Sequence, residues 1–213
     1  MAAFSFAVLI SGNGSNLQAL IDAIEKENIS GKICCVLSDK ENAYGLKRAS
    51  RAKIPIEVVS NKDFETREDF DTELVKVLST YKPDLIVLAG FMRILSPKFI
   101  NAFTEKILNI HPSLLPKYPG LNTHERVLES SDKIHGITVH FVDESLDGGP
   151  ICAQSSIQIN TSSVKELEVE IHKLEHKLYP KVVSWFGEGL LKLSNGKVYF
   201  ENSELKIGGI DEN

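Results

Sequence analysis

Cysteine is scarce in this chain: three in 213 residues, Cys34, Cys35 and Cys152. No two are spaced as Cys-x-x-Cys, so the commonest structural zinc pattern is missing. The odd count in apolar settings fits reduced thiols better than a disulfide framework. Basic excess is also missing. The net charge is −5, whereas a general nucleic-acid binder carries a basic face; a local basic pocket stays open. No apolar run approaches the roughly 18 to 20 residues of a membrane span. The first residues lack a basic n-region and a small-residue cleavage site, so a cytoplasmic location is the expectation. No internal repeat, low-complexity tract or long linker interrupts the sequence. Its 42% hydrophobic and 25% charged residues are ordinary for a globular protein. The length suits one α/β domain over 1–213.

What is present is an alternation of short apolar runs with helical patterns. Phe4 to Ile10 reads as a buried strand, followed by Leu17, Leu20, Ile21 and Ile24 at helical spacing. Ile33 to Leu37, Ile56 to Val59, Asp84 to Ala89 and Lys106 to Ile110 read as further strands. Helical patterns fall at 44–52 and 67–81, and Ser96-Pro97 marks a helix start. This rhythm implies a doubly wound, mostly parallel sheet. The pattern then changes: Gly136 to Val142 and Ile151 to Ile159 form a late antiparallel strand pair. Val164, Leu167, Ile171, Leu174 and Leu178 lie on one helix that ends near Pro180. A small hairpin turns around Asn195-Gly196 in the tail.

The loop Ser11-Gly12-Asn13-Gly14-Ser15-Asn16 joins the first strand to the first helix. Backbone N–H groups and the helix dipole there favour an anion. Gly12 and Gly14 match the first two glycines of the dinucleotide fingerprint, but Leu17 replaces the third. Asp39 mimics the ribose-binding acid, which keeps an NAD-dependent dehydrogenase as an alternative. A Walker A loop is excluded, because no Gly-Lys-Ser/Thr follows. The pattern suits one monophosphate; the plain alternative is a βα turn with Ser15 or Asn16 capping the helix.

The most chemical segment is Asn109-Ile110-His111-Pro112-Ser113-Leu114-Leu115-Pro116, with Asp147-Gly148-Gly149-Pro150 downstream. Asn109 is a candidate donor to an oxyanion, His111 an acid or base near neutral pH, and Asp147 an orienting carboxylate. Both stretches also read as ordinary turn chemistry. His172-Lys173-Leu174-Glu175-His176 satisfies an inverted zinc-peptidase pattern. It fixes no third ligand, and the charges beside the apolar stripe read as solvated, so no metal is expected.

With these residues in place, the chain resembles the glycinamide ribonucleotide formyltransferases of purine synthesis. The resemblance runs from Val8 to about Trp185-Phe186. It is carried by Val8-Leu9-Ile10-Ser11-Gly12-Asn13-Gly14-Ser15-Asn16-Leu17, by Leu88-Ala89-Gly90-Phe91-Met92-Arg93-Ile94-Leu95-Ser96-Pro97, by the segment from Leu108 to Gly120, and by Leu146-Asp147-Gly148-Gly149-Pro150. It implies a Rossmann-like formyltransferase fold and formyl transfer from 10-formyltetrahydrofolate, as co-substrate, to the amine of glycinamide ribonucleotide. Asn109, His111 and Asp147 would be the catalytic set, with protonated His111 and the Asn109 amide on the oxyanion. Gly12, Asn13, Gly14, Ser15, Asn16 and Glu175 would bind the nucleotide. Arg67, Met92, Arg93, Ile94, Leu95, Asn109, Asp143, Glu144, Ser145, Leu146 and Asp147 would bind folate. His140, in the run leading to the folate loop, would support them from behind.

The resemblance divides the domain into a nucleotide-phosphate half at about 1–105, a catalytic and folate half at about 106–190, and a tail at 191–213. No nucleic acid, metal or membrane is implied, and monomer and homodimer stay open. The alternatives are a formyltetrahydrofolate hydrolase, another folate-dependent formyltransferase such as one acting on methionyl-tRNA, and a non-catalytic nucleotide-binding module. The acidic charge argues against the tRNA enzyme, and the phosphate loop against the hydrolase. Intact Asn109, His111 and Asp147 argue against the binding module.

Overall fold

The computed structural model describes residues 3–212. The chain forms two compact units, Met1–Leu108 and Asn109–Asn213. The first contains β1 (Phe4–Ile10), α1 (Ser15–Glu25), β2 (Gly31–Ser38), α2 (Tyr44–Arg51), β3 (Ile56–Val58), α3 (Arg67–Tyr81), β4 (Leu85–Leu88) and α4 (Pro97–Ala102). Its strands lie in the order β4-β1-β2-β3, and every pair is parallel. Parallel strands covered on both faces read as continuous apolar runs. Accordingly Phe6 to Ile10 are each 0% exposed. Strand β5 (Ile107–His111) begins in this unit and ends in the next.

The second unit holds α5 (Thr123–Leu128), β6 (Ile134–Phe141), β7 (Ile151–Gln158), α6 (Val164–Gly187), β8 (Leu191–Ser194), β9 (Lys197–Phe200), β10 (Ser203–Glu204) and β11 (Ile210–Asp211). Its sheet runs β11-β7-β6-β5. Strands β6 and β7 are the antiparallel pair expected from sequence. Their register slips at Val139/His140, where Val139 faces Ala153 and His140 faces Ile151. Such a bulge re-aims the neighbouring side chains. The tail forms a separate antiparallel sheet, β10-β9-β8. Its hairpin turns at Asn195 and Gly196, both at positive φ, which suits the tight turn of a twisted pair.

Two expectations change, and the plain alternative for the first loop falls. Helix α6 does not end near Pro180 but continues to Gly187. An interior proline costs about 3 kcal/mol or more. Tyr179, Val182 and Val183 are each 0% exposed, and burial of such side chains contributes roughly 1.5–3 kcal/mol apiece. That gain carries the helix through. The polar tail also adds β11, which pairs in parallel with β7, an edge pairing with no periodic signal. Finally, neither Ser15 nor Asn16 caps α1. Gly14 is the N-cap residue, in the left-handed region at φ 74°, and no side chain caps the helix.

Candidate active site

The chemistry is distributed over both units. In the first, the loop from Ser11 to Asn16 leaves β1 and enters α1. Gly12 and Asn13 are exposed, while Gly14 and Asn16 are buried. Helix α2 braces this loop. The Gly45 N–H donates to the Gly12 carbonyl at 3.1 Å. Arg48 donates through Nε to the Asn13 carbonyl and through Nη2 to Asn13 Oδ1, both at 2.9 Å. Its Nη1 donates to Gln18 Oε1 at 3.2 Å, and its guanidinium lies 4.9 Å from the Tyr44 ring centroid. These bonds from α2 fix the shape of the loop, and no side chain caps the helix start behind it. Such a helix start favours an anion.

A second feature of this unit is the stretch from Gly90 to Leu95. Phe91 and Leu95 are buried, whereas Met92 and Ile94 are 65% and 64% exposed. Arg93 is exposed between them, its guanidinium 5.9 Å from the Phe70 ring centroid. Arg67 is exposed at the start of α3, 3.4 Å from Glu68. Of the folate residues expected here, Leu95 alone faces the core.

In the second unit, β5 delivers Asn109 and His111 from alternate positions, with buried Ile110 between them. Asp147 comes from the loop between β6 and β7. His111 is 6% exposed. Its Nε2 donates to the Tyr118 carbonyl at 2.9 Å, and its Nδ1 lies 3.4 Å from Asp147 Oδ2. With an oxygen at each nitrogen, the doubly protonated ring is the form that satisfies both. The same Asp147 oxygen accepts the Gly120 N–H at 2.8 Å. Arg126 holds this turn by donating to the Pro119 carbonyl at 2.6 Å.

His140 completes the group. Its Nδ1 donates to the Phe141 carbonyl at 2.9 Å, and its Nε2 lies 3.1 Å from Asn109 Nδ2. Burial pushes its pKa down, against weaker upward contributions from the Phe141 carbonyl and Asp147. A neutral, Nδ1-protonated ring leaves Nε2 as an acceptor, so Asn109 donates one amide hydrogen to it. The second hydrogen of that amide stays available to another acceptor.

The loop from Asp143 to Leu146 is exposed, closed on itself by the Ser145 N–H donating to Asp143 Oδ1 at 2.8 Å. Gly149 permits its return: a Cβ there would lie 2.0 Å from the Phe141 carbonyl oxygen. Glu175 is 5% exposed on the core face of α6, so this acid is not among the solvated charges expected along the helix. It lies 4.0 Å from His172 Nε2. His172 and His176 stack with ring centroids 6.0 Å apart. Among the described residues, no group of three or more His, Cys, Asp or Glu could hold a metal ion.

The structure thus brings together Asn109, His111 and Asp147, and separately places Gly12 to Asn16 at one helix start. Arg48, Gly45 and the backbone acceptor at Tyr118 were not foreseen. A glycine followed three residues later by arginine, on the second helix, was the only signal for the first two.

Comparison with known proteins agrees with this geometry. The formyl transferase family model matches residues 4–183. The chain is 46% identical over 206 residues to the phosphoribosylglycinamide formyltransferase of Escherichia coli K12, covering 96% of this chain and 97% of that protein. The solved phosphoribosylglycinamide formyltransferase of Coxiella burnetii, in complex with CHES, is 44% identical with a TM-score of 0.95, covering all of both chains. Glycinamide ribonucleotide transformylase 1 of Symbiobacterium toebii is 39% identical with a TM-score of 0.89, over 92% of this chain and 93% of that one. No helix among the described residues is long and apolar enough to cross a membrane. Residues, fold and likeness lead to one conclusion: the chain belongs to the formyl transferase family, enzymes that require a formyl donor.

Proposed function

We propose that this chain transfers a formyl group from 10-formyltetrahydrofolate to the amine of glycinamide ribonucleotide. The products are formylglycinamide ribonucleotide and tetrahydrofolate, as in de novo purine synthesis. The observation that carries the reading is the proton-matched group of Asn109, His111, Asp147 and His140. The nucleotide phosphate sits on Gly12, Asn13, Gly14, Ser15 and Asn16, and Glu175 takes the ribose hydroxyls. Exposed Met92, Ile94 and Leu146 offer apolar contact to the folate rings. Arg67 and Arg93 suit its carboxylates, and the loop Asp143 to Asp147 offers polar groups. Leu95 supports that surface from inside.

The amine attacks the formyl carbon, forming a C–N bond and a tetrahedral oxyanion. The free Asn109 amide hydrogen and the His111 imidazolium stabilise that oxygen. The His111 Nε2 hydrogen is shared between the Tyr118 carbonyl and the oxyanion, while Asp147 compensates the imidazolium charge. Collapse breaks the bond to the folate nitrogen. The proton lost by the amine reaches that nitrogen with Asp147 as relay. The test is a folate absorbance assay with and without glycinamide ribonucleotide. Turnover only with the nucleotide is expected; equal consumption of the donor without it would replace the transferase by a hydrolase.

A further inference from the structure

Ser11 precedes the glycine loop in sequence, yet its side chain faces elsewhere. It is 4% exposed. Its Oγ accepts the Met92 N–H at 2.9 Å, and its own N–H donates to the Gly90 carbonyl at 3.0 Å. The far end of the same stretch is tied to another element. Asp71 of α3, 0% exposed, accepts the Ser96 N–H through Oδ2. Its Oδ1 meets no donor among the described residues. A buried carboxylate oxygen without a partner is costly, so core stability alone does not explain this acid. Ser96 in turn caps α4, accepting the Phe99 N–H. Between these two ties, Met92, Arg93 and Ile94 project outward.

We propose that Ser11 and Asp71 are positioning residues for the formyl donor. Both fix the backbone that presents Met92, Arg93 and Ile94, and Ser11 serves the donor although its sequence neighbours serve the nucleotide. This rests on the folate reading of that stretch. Truncating either tie removes the acceptor of a backbone N–H, a part-buried one at Met92 and a buried one at Ser96. The stretch then relaxes, while loop residues 12–16, held by Gly45 and Arg48, keep their shape.

The experiment is steady-state kinetics of the full chain, varying 10-formyltetrahydrofolate and glycinamide ribonucleotide separately. Ser11→Ala should raise KM for the donor about tenfold, the equivalent of ~1.4 kcal/mol. KM for the nucleotide and kcat at saturating donor should stay within about twofold, and Ser11→Thr, which keeps the hydroxyl, should recover most of the loss. Asp71→Ala should show the same split, and Asp71→Asn, which keeps an acceptor for Ser96, should recover. A general fold defect would move both KM values together. Equal rises in both, or an unchanged donor KM in Ser11→Ala and Asp71→Ala, would overturn the assignment. If Ser11→Ala does not fold, the Asp71 pair decides alone. Absence of transfer by the wild-type chain would refute the proposed function instead, so the two failures are distinct.

Discussion

Asp147 adopts φ 51°, a left-handed conformation that a non-glycine residue occupies at some energetic cost. Its carboxylate is held there by the Gly120 N–H and by His111. Removing the carboxylate leaves the imidazole without its counter-charge. Asp147→Ala is therefore expected to lower kcat by about 100-fold or more, with little change in nucleotide affinity by calorimetry. A second residue-level expectation concerns acid. Burial, reinforced by His124 and His111, pushes the His135 pKa down from its ordinary 6.5 to about 4. Between those values the unfolded chain binds a proton that the folded chain does not. The His135 contribution to stability therefore falls as pH is lowered through that window and is flat on either side. Urea midpoints measured from pH 7 to pH 4 should show this slope, and His135→Gln should reduce it, leaving the part that comes from His124 and His140, whose pKa values burial also lowers. Asn109, His111 and Asp147 stood out in the sequence as candidates because their side-chain types carry acid–base chemistry, and the fold sets them close together. The Tyr118 carbonyl and Gly120 N–H were not, since backbone groups exist at every position and only folding selects two of them.

Among elements, the loops are more tightly specified than the helices. A Cβ on Gly149 would lie 2.0 Å from the Phe141 carbonyl oxygen and 3.3 Å from the Asp143 nitrogen. Gly149→Ala must therefore displace the segment carrying Asp147, and a loss of kcat with retained folding is expected from activity and circular dichroism together. Helix α6 starts at Ser163, whose side chain accepts the Glu166 N–H. Ser163→Ala should cost about 1 kcal/mol, a fall in Tm of roughly 2–4 °C for a chain of this size. The parallel strands were readable because burial on both faces gives uninterrupted apolar runs. The exit of α6 was not, because proline signals a stop locally while the packing of Val182 and Val183 is set by distant residues.

For the whole molecule, the division at Leu108 and Asn109 puts the glycine loop in one unit and the imidazole–carboxylate pair in the other. No composition shift marks that boundary, which falls inside β5. The thiols give a readout of the folded state as a whole. Cys152 is fully buried, and burial pushes its pKa up. Cys35 is also buried and shifted up, chiefly by its hydrogen bond with Cys34. Cys34 is half-buried and is lowered to about 7, first by that same bond. A chromogenic disulfide should titrate one thiol in the native protein and all three cysteines in urea; three fast thiols under native conditions would contradict this packing. One contact has a wider consequence. A Cβ on Gly14 would lie 2.7 Å from the Gly45 Cα, and one on Gly45 would lie 2.4 Å from Ile10 Cδ1. The close-approach glycine absent at position 17 is thus supplied by a different helix, 31 residues after Gly14. The backbone contact makes Gly14 the stricter of the two positions, because at Gly45 the first atom met is the movable end of Ile10. A library randomised at both should return glycine at position 14, and should admit alanine at position 45 only where the Ile10 side chain shifts.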